Sequence, residues 1–594
     1  MRDTLLASMG FLSRLRRNQA GNALAIVAAA IIPLLGLVGG GIDMSRLYLT
    51  KSRLQQACDA GALAGRKQMG SGAWSANSGS ANAVAEQLFD ANFGSDPYGT
   101  NNTARSFAES GGKVTGTASV VVPMTVMRAL GQTDRTVNTS CEADMRIPNT
   151  DIMFVLDVTG SMGDKANSKD TVTKIDGLKN AVLCFYEALA KIDTTANCGT
   201  TPTTSNSSTA QIRFGFVPYA VNVNVGKLLR NAWMADSWDY QSRVYSGKEG
   251  WGYWKTRKSS SNNCPSDTAK QQYRKSSFYG KCDQERSYGP LYIYKQRTLN
   301  VSGLKGGSDT WNSSVLLPLG ANKSISVAWD GCIEERETVR QASYSPIPAA
   351  ARDLDIDLVP STGDPATQWK PQLPGAVWAR HDEDKVNQLG EVTADEVARS
   401  SSSCPTEAQR LQVWPSPSNT QTFESYVNSL STGGNTYHDI GLLWGARLAS
   451  PTGLFAADNK TTPTGGGIER HIIFMTDGNT QTSVTNYNAY GIPWWDRRQT
   501  AINVEPTSST TNNQVNARFS ALCTAIKNKG FTLWTIYFGV EITEKTNKAT
   551  RDAADRLATC ASSDDHSFTA ADSATLIANF QSIADNISQL RLTQ

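Results

Sequence analysis

The hydrophobic pattern opens with an uncharged run, GNALAIVAAAIIPLLGLVGGGI, from Gly21 to Ile42. These 22 residues are long enough to cross a hydrocarbon core with some tilt. Pro33 lies inside the run, and membrane helices tolerate proline where neighbouring groups take up the freed carbonyl. Helical spacing continues through Met44, Leu47, Leu54, Ala57 and Leu63 until a Gly/Ser-containing stretch at 70–79. The pattern therefore predicts a transmembrane helix over 21–43 that leaves the bilayer as a stalk. A cleavable signal peptide is the competing reading, but the run exceeds the roughly 7–15 apolar residues of such a signal. Arg14, Arg16 and Arg17 precede the run and Arg46, Lys51 and Arg53 follow it, so charge leans only slightly toward a cytoplasmic N-terminus over 1–20.

Beyond the stalk the pattern alternates. Val84, Leu88 and Phe89 fall at helical spacing within 81–92, while 113–124 and 136–145 are Val/Thr-rich and read as strands. Together with the stalk they predict a small α+β module over 44–146. Short apolar runs follow at IMFVL (152–156), QIRFGFV (211–217), HIIFMT (471–476) and FTLWTIYFGV (531–540). Helical faces lie between and after them, at 174–191, 517–528 and 573–590. Short buried strands alternating with amphipathic helices predict a doubly wound parallel α/β sheet. Its two parts would span 147–229 and 421–594, with a long insertion over 230–420.

Composition narrows the function. The 594 residues carry 57 Lys/Arg against 54 Asp/Glu, a net charge of +3. That balance lacks the basic excess of a dedicated nucleic-acid binder, and none is expected as a partner. Four histidines (His381, His438, His471, His566) show no HExxH spacing, and neither GxSxG nor a P-loop occurs. No side-chain pairing marks a nucleophile or general base, so an enzyme is not expected. The ten cysteines stand without any CxxC pair and all follow the apolar run. An even, scattered set fits up to five disulfides, which persist outside a reducing cytosol and place the bulk of the chain there. Buried free thiols are the competing reading. Cys58 and Cys141 can staple the small module to the stalk, although sequence leaves connectivity open.

The candidate chemistry lies where the parallel strands end. IMFVL runs directly into Asp157-Val-Thr159-Gly-Ser161, and open α/β sheets place ligands at such carboxyl-terminal turns. One carboxylate and two alternating hydroxyls form a hard-oxygen set, suited to Mg²⁺ or Mn²⁺ rather than zinc. A lone string of this kind also serves as a turn or helix cap. Two further segments add to it: a Gly-containing loop presents Thr436 before an apolar helix, and HIIFMT ends on Asp477.

Two family resemblances rest on these residues. The stretch RRNQAGNALAIVAAAIIPLLGLVGGGIDMSRLYLTKSRLQQACDAGALAG resembles the N-terminal segment of TadG-type proteins of the tight-adherence (Flp) pilus system, with Gly21, Pro33, Asp43 and the helix from Leu54 to Gly65 as matching features. Related prepilins are cut after a glycine that has a glutamate five residues on; that position here is Ile26, which favours a retained anchor. The constellation Asp157, Thr159, Ser161, Thr436 and Asp477 resembles the metal-ion-dependent adhesion site of von Willebrand factor A domains. The resemblance implies direct cation contact by Thr159, Ser161 and Thr436, with Asp157 and Asp477 acting largely through waters. It implies Mg²⁺ as the cofactor, with Mn²⁺ or Ca²⁺ as alternatives. Thr159 stands where that family usually has serine. Cys523 and Cys560, with the terminal LRLT, look like the TadG C-terminal region, which implies that they pair.

The insertion holds nine of the fourteen tryptophans and four cysteines, so it reads as ordered. Residues 241–300 carry twelve Lys/Arg against four Asp/Glu, interleaved with Tyr245, Tyr253, Tyr273, Tyr279 and Tyr288. Such a mixture can bind acidic polymers or form an ordinary solvated face. Within it, GCIEERETVR (331–340) and DLDIDLVP (353–360) resemble the TadG-type insertion. Asp353, Asp355 and Asp357 alternate but lack the Gly and Glu of a calcium loop. The resemblances imply a single-pass protein of a bacterial inner membrane, largely periplasmic, that assembles or anchors Flp pili. Its partners would be proteins of the pilus secretion machinery or pilin, bound through the metal site. A surface adhesin acting on host or matrix proteins is the alternative.

Overall fold

The computed structural model describes residues 19–69, 74–110, 113–146, 149–190, 192–199, 211–277, 280–378, 392–393, 403–414, 421–461 and 468–592. The basic residues Arg14, Arg16 and Arg17, His381 and Tyr279 lie outside them. The first element is a single helix of 51 residues, α1 (Gln19–Met69), with Pro33 inside it. At 1.5 Å per residue it is about 75 Å long. Ile26, Ile32, Leu34, Leu37 and Val38 are all more than half exposed, an apolar surface that water would not favour. By length and composition this is a helix able to cross a membrane.

Further along, the same helix changes character. Leu54, Ala57, Cys58 and Ala62 are fully buried against α2 (Ala76–Phe93) and the antiparallel strands β1 (Asn101–Ser110), β2 (Lys113–Val122) and β3 (Arg135–Arg146). A side chain at Gly61 would strike Phe107 at 2.5 Å, so glycine is what lets the sheet approach the helix. The Cys58–Cys141 disulfide joins the two. Asp43, at the end of the apolar stretch, is 2% exposed. Its carboxylate accepts the backbone N–H groups of Thr125, Val126 and Met127 at 3.1, 3.1 and 2.9 Å. The turn so held packs on the helix at Gly39, where a Cβ would fall 2.4 Å from Val126. Strand β1 has too little apolar alternation to be read from sequence, with only Phe107 buried.

The main body begins with β4 (Thr150–Asp157), buried along its whole length, and α3 (Lys174–Ala190). Strand β5 (Ile212–Tyr219) lies parallel to β4. The insertion follows, built on the long antiparallel pair β6 (Ser237–Trp251) and β7 (Cys282–Asn300). It returns through β8 (Gln409–Gln412), α4 (His438–Ala449), β9 (Glu469–Thr476), α5 (Ser508–Asn528), β10 (Thr532–Phe538), α6 (Lys548–Cys560), β11 (Ser567–Ala570) and α7 (Ser573–Ile587). The sheet order is β8-β5-β4-β9-β10-β11, with all but the edge strand β8 parallel.

Alternation on β4 divides the core in two. Ile152, Phe154 and Leu156 face α3 and α7, while Met153 and Val155 face the side covered by α4 and α5. The sheet is thus doubly wound, as the pattern of short apolar runs predicts. Helix α7 stops at Ile587 rather than near 590. Gln589–Leu592 instead pairs antiparallel with β3, so the chain returns to the small module. All ten cysteines are paired: besides Cys58–Cys141 and Cys523–Cys560, the bonds are Cys184–Cys198, Cys264–Cys282 and Cys332–Cys404.

The insertion is joined to the core by buried ions. Glu335, fully buried, accepts Arg447 at 2.7 Å and the indole N–H groups of Trp444 and Trp369 at 2.7 and 3.0 Å. Arg518 from α5 bonds Asp439 at 3.0 Å and also pairs with Asp353. Asp355 accepts the N–H groups of Asp357 and Leu358, and Asp357 accepts Ser450, Thr452 and Lys529. The three alternating aspartates therefore serve separate structural contacts.

Two outcomes follow. Arg518→Met, which strands Asp353 and Asp439 in the core, should cost about 3–5 kcal/mol in urea unfolding. A loss below about 1 kcal/mol would show the network to be dispensable. Asp43→Ala removes charge-assisted bonds typically worth about 1.5–3 kcal/mol each. Trypsin should then cut after Arg128, in the turn Asp43 holds, at least about tenfold faster in the folded protein, and an unchanged rate would contradict the clamp.

Candidate functional site

Asp157 ends the central strand β4 and is fully buried. Its Oδ1 accepts the Thr159 N–H at 2.9 Å and its Oδ2 accepts the Thr476 hydroxyl at 2.7 Å. Thr476 Oγ1 also lies 3.0 Å from His438 Nε2, at the start of α4. One carboxylate thus ties together the ends of β4 and β9 and the first turn of α4. Burial pushes the His438 imidazole down to about 3, so it is neutral and acts as a hydrogen-bonding spacer.

From this floor the site opens outward. The Thr159 and Ser161 hydroxyls are 3.1 Å apart, and Ser161 donates to Asp477 Oδ1 at 2.8 Å. Ser161 is exposed, whereas Thr159 is 1% and Asp477 8% exposed. The loop carrying Thr436 is fastened across the first loop by Gly160 N–H to Gly434 O at 3.0 Å and Gly433 N–H to Val158 O at 2.9 Å. Gly434 sits at φ +81° with Ser403 2.8 Å from where a Cβ would be, so only glycine fits this crossing.

The structure therefore gathers Asp157, Thr159, Ser161 and Asp477 into one hydrogen-bonded cluster. Thr436 lies two residues past the Gly434 crossing, and its backbone pairs with Gln481 in both directions. Its hydroxyl makes no hydrogen bond to the other four among the described residues.

Three residues of the cluster are not signalled by the sequence. Thr476 is hidden as the last residue of an apolar strand, and His438 as the first of an apolar helix. Lys174 is the third, and it changes the electrostatics most. Its ammonium bonds Asp477 Oδ2 at 2.7 Å with 11% of its side chain exposed. Nothing in the spacing of a helix's first residue reveals a contact 303 positions away.

Among the described residues no group of three or more His, Cys, Asp or Glu side chains is arranged to hold a metal. The two carboxylates with the Thr159 and Ser161 hydroxyls form a different, all-oxygen set, of the kind that suits a hard cation with retained waters. Burial, and then the charge of Asp477, push the Asp157 carboxyl up to about 7. Such a pair is short of positive charge, and Lys174 supplies part of it as a tethered stand-in. The residues present fit a divalent cation.

Residues 21–82 match the family model for putative Flp pilus-assembly TadE/G-like proteins, which covers the long helix and the start of the module beyond it. No curated protein matches the chain. Among solved structures, the pilus adhesin SpaC from Lactobacillus rhamnosus GG shares 10% identity at a TM-score of 0.29, over 82% of this chain and 34% of that one. The pilus adhesin RrgA from Streptococcus pneumoniae shares 8% at 0.25, over 82% and 49%. Proximal thread matrix protein 1 from the mussel byssus shares 13% at 0.17, over 32% and 35%. The chain spans about a third of the length of the SpaC structure.

Because the folded-state Asp157 carboxyl lies above its ordinary 3.8, its ionisation costs stability as pH rises from about 4 to about 7. Asp157→Asn should therefore raise the metal-free unfolding free energy at pH 8 by about 1–3 kcal/mol. The same variant should lose any stabilisation that 10 mM Mg²⁺, a roughly saturating choice, gives the parent. Thermal melts with Mg²⁺ and with chelator check both, and an Asn variant that still gains from Mg²⁺ contradicts the site.

Proposed function

We propose that this chain is a membrane-anchored, non-enzymatic envelope protein of a tight-adherence pilus system that binds protein partners through a divalent-cation adhesion site of the von Willebrand factor A type. The observation that carries the reading is the junction of Asp157, Thr159, Ser161 and Asp477 at the carboxyl edge of a doubly wound sheet. The TadE/G-like match over 21–82, on a helix long and apolar enough to span a bilayer, supports the anchoring and the pilus context.

Thr159, Ser161 and Thr436 would hold the cation, with Asp157 and Asp477 setting the charge behind it. The cation, preferably Mg²⁺, supplies positive charge on which a partner's carboxylate can complete the coordination sphere. The chain's own residues do the rest. Asp157 fixes the loop geometry from below, Gly434 permits the close crossing of the two loops, and exposed Ser161 leaves the upper side open to a partner. Lys174 holds Asp477 in place by its ammonium and would compete with a cation for that carboxylate. The chain lies in the inner membrane with its disulfide-bonded body outside the cytoplasm.

Cross-linked pull-downs from envelopes, with parent and Asp157→Ala/Ser161→Ala chains in Mg²⁺ or chelator, test the role. Pilus-machinery proteins or pilin should be recovered only with an intact site and Mg²⁺. Recovery regardless of both would assign binding to another surface, and recovery only of host or matrix proteins would assign an adhesin. Lys174→Met, which removes a competing cation, should tighten Mg²⁺ binding about fivefold in titration calorimetry, the equivalent of about 1 kcal/mol. Unchanged affinity would contradict the competition.

A further inference from the structure

The insertion carries a second polar feature that the cation site does not use. A cavity of about 520 Å³ is lined by Trp238, Val339, Pro365 and Ala366, with Lys370 and Arg498 in its wall. That volume is in the range of small-molecule sites. Glu337, Thr338 and Arg340 complete the lining.

Lys370 is the unusual member. It lies on the short strand Lys370–Pro371, opposite Glu334 in an antiparallel pair, and is 1% exposed. The opposite carboxylate would be its natural partner, but it is fully engaged elsewhere. Glu334 Oε1 accepts the Tyr487 hydroxyl at 2.6 Å, and Oε2 accepts the Trp238 indole at 2.8 Å and Arg498 at 3.1 Å. The Lys370 ammonium is left with one hydrogen bond, to Pro365 O at 2.8 Å, and with the Trp238 ring 4.0 Å away. An ammonium has three donors, and burying one without a carboxylate contact is costly. Beside it, the backbone N–H groups of Thr338, Val339 and Arg340 have no acceptor among the described residues. Exposed Arg340 adds positive charge at the rim, and exposed Glu337 opposes it.

We propose that this cavity binds a carboxylate borne on an apolar body, of the kind presented by the C-terminus of a polypeptide. The carboxylate takes the place of the missing partner of Lys370 and reaches the free backbone N–H groups and Arg340. The apolar body lies against Trp238, Val339, Pro365 and Ala366. Trp238, Val339, Pro365 and Ala366 together give an apolar body four contacts that the hydroxyl-bearing ring of a sugar acid uses less well. The site shares no residue with the cation cluster and is independent of the function proposed for it.

Burial, then the neighbouring Arg498, push the Lys370 ammonium down to about 7. Burial likewise holds the Glu334 carboxyl up at about 7, so it gains negative charge in the same range. Arg498, Glu335 and Glu337 are the other charged groups acting on Lys370, and Arg498 and Asp496 act on Glu334. Anion binding should accordingly weaken as pH rises.

Titration calorimetry of the full chain with N-acetyl-L-phenylalanine tests the site. Binding is expected at pH 6, at least fivefold weaker at pH 8.5, unaffected by chelator, and lost with N-acetyl-L-phenylalanine amide. Lys370→Met, which keeps the apolar stem, should abolish binding while the variant still melts cooperatively. Arg340→Ala, at the exposed rim, should weaken it several-fold with no risk to folding. Equal binding of acid and amide, glucuronate binding as tightly as the amino-acid probe, full binding to both variants, or no binding of any probe would each overturn the proposal.

Discussion

The arrangement depends on one buried carboxylate. Asp157 stands at the end of the central strand, out of reach of water, and such a charge persists only if the surrounding structure answers it. Its two oxygens are answered by groups from two different places, the backbone of its own turn and the hydroxyl of Thr476 on the neighbouring strand. That pairing fixes the relative height of two strand ends, and the parallel register between them carries it down the sheet from Leu156–Met475 to Thr150–Glu469. The donors that answer Asp157 are nevertheless uncharged. The positive charge in the cluster comes from Lys174 on Asp477, a layer further out. Anchoring and charge compensation are thus assigned to different residues.

The fold was legible where apolar runs are short and uninterrupted. IMFVL, QIRFGFV, HIIFMT and FTLWTIYFGV each became a strand of one sheet because parallel strands buried on both faces need such runs. Strand β1 escaped because its side chains are mostly exposed. The terminal strand escaped because a helix pattern runs almost to its start. Of the site, Asp157, Thr159, Ser161 and Asp477 were legible from spacing and position after strands. Lys174 was not, since its role arises from a contact between distant segments. Thr436 was picked out from its Gly-containing loop and then from a resemblance; the loop is tied to the first one at Gly433 and Gly434, and no bond joins the Thr436 hydroxyl to the other four among the described residues.

In the insertion, composition leaves two readings open, and the structure shows what some of the basic side chains touch. The basic and aromatic side chains of 241–300 look like a surface for acidic polymers. Several of them spend their charge on one another's neighbours: Arg274 and Arg286 lie 4.3 and 4.7 Å from the Trp254 ring, and Arg257 lies 4.8 Å from that of Tyr273. Arg257 and Lys255 also pair with Glu285. Such contacts stiffen an extension in which the strands Lys255–Ser261 and Gln271–Arg274 pair with the first part of β7. Nearer the sheet, Trp369, Tyr344 and Leu354 join the same apolar core as α4 and α5, and the Glu335 and Asp353 ion pairs run through it. Buried ion pairs contribute little net stability but penalise any other arrangement of their partners. The base of the insertion is therefore held rigidly on the sheet that carries the cation cluster.

The central claim is that the Asp157–Asp477 cluster receives a divalent cation. Anomalous diffraction from crystals of the chain soaked in Mn²⁺, with chelator-treated crystals as reference, tests it directly. The account predicts one manganese peak bounded by Thr159, Ser161 and Thr436, with Asp157 and Asp477 behind it and the Lys174 ammonium withdrawn from Asp477. A site with no peak at saturating Mn²⁺, and Lys174 still bonded to Asp477, would contradict it.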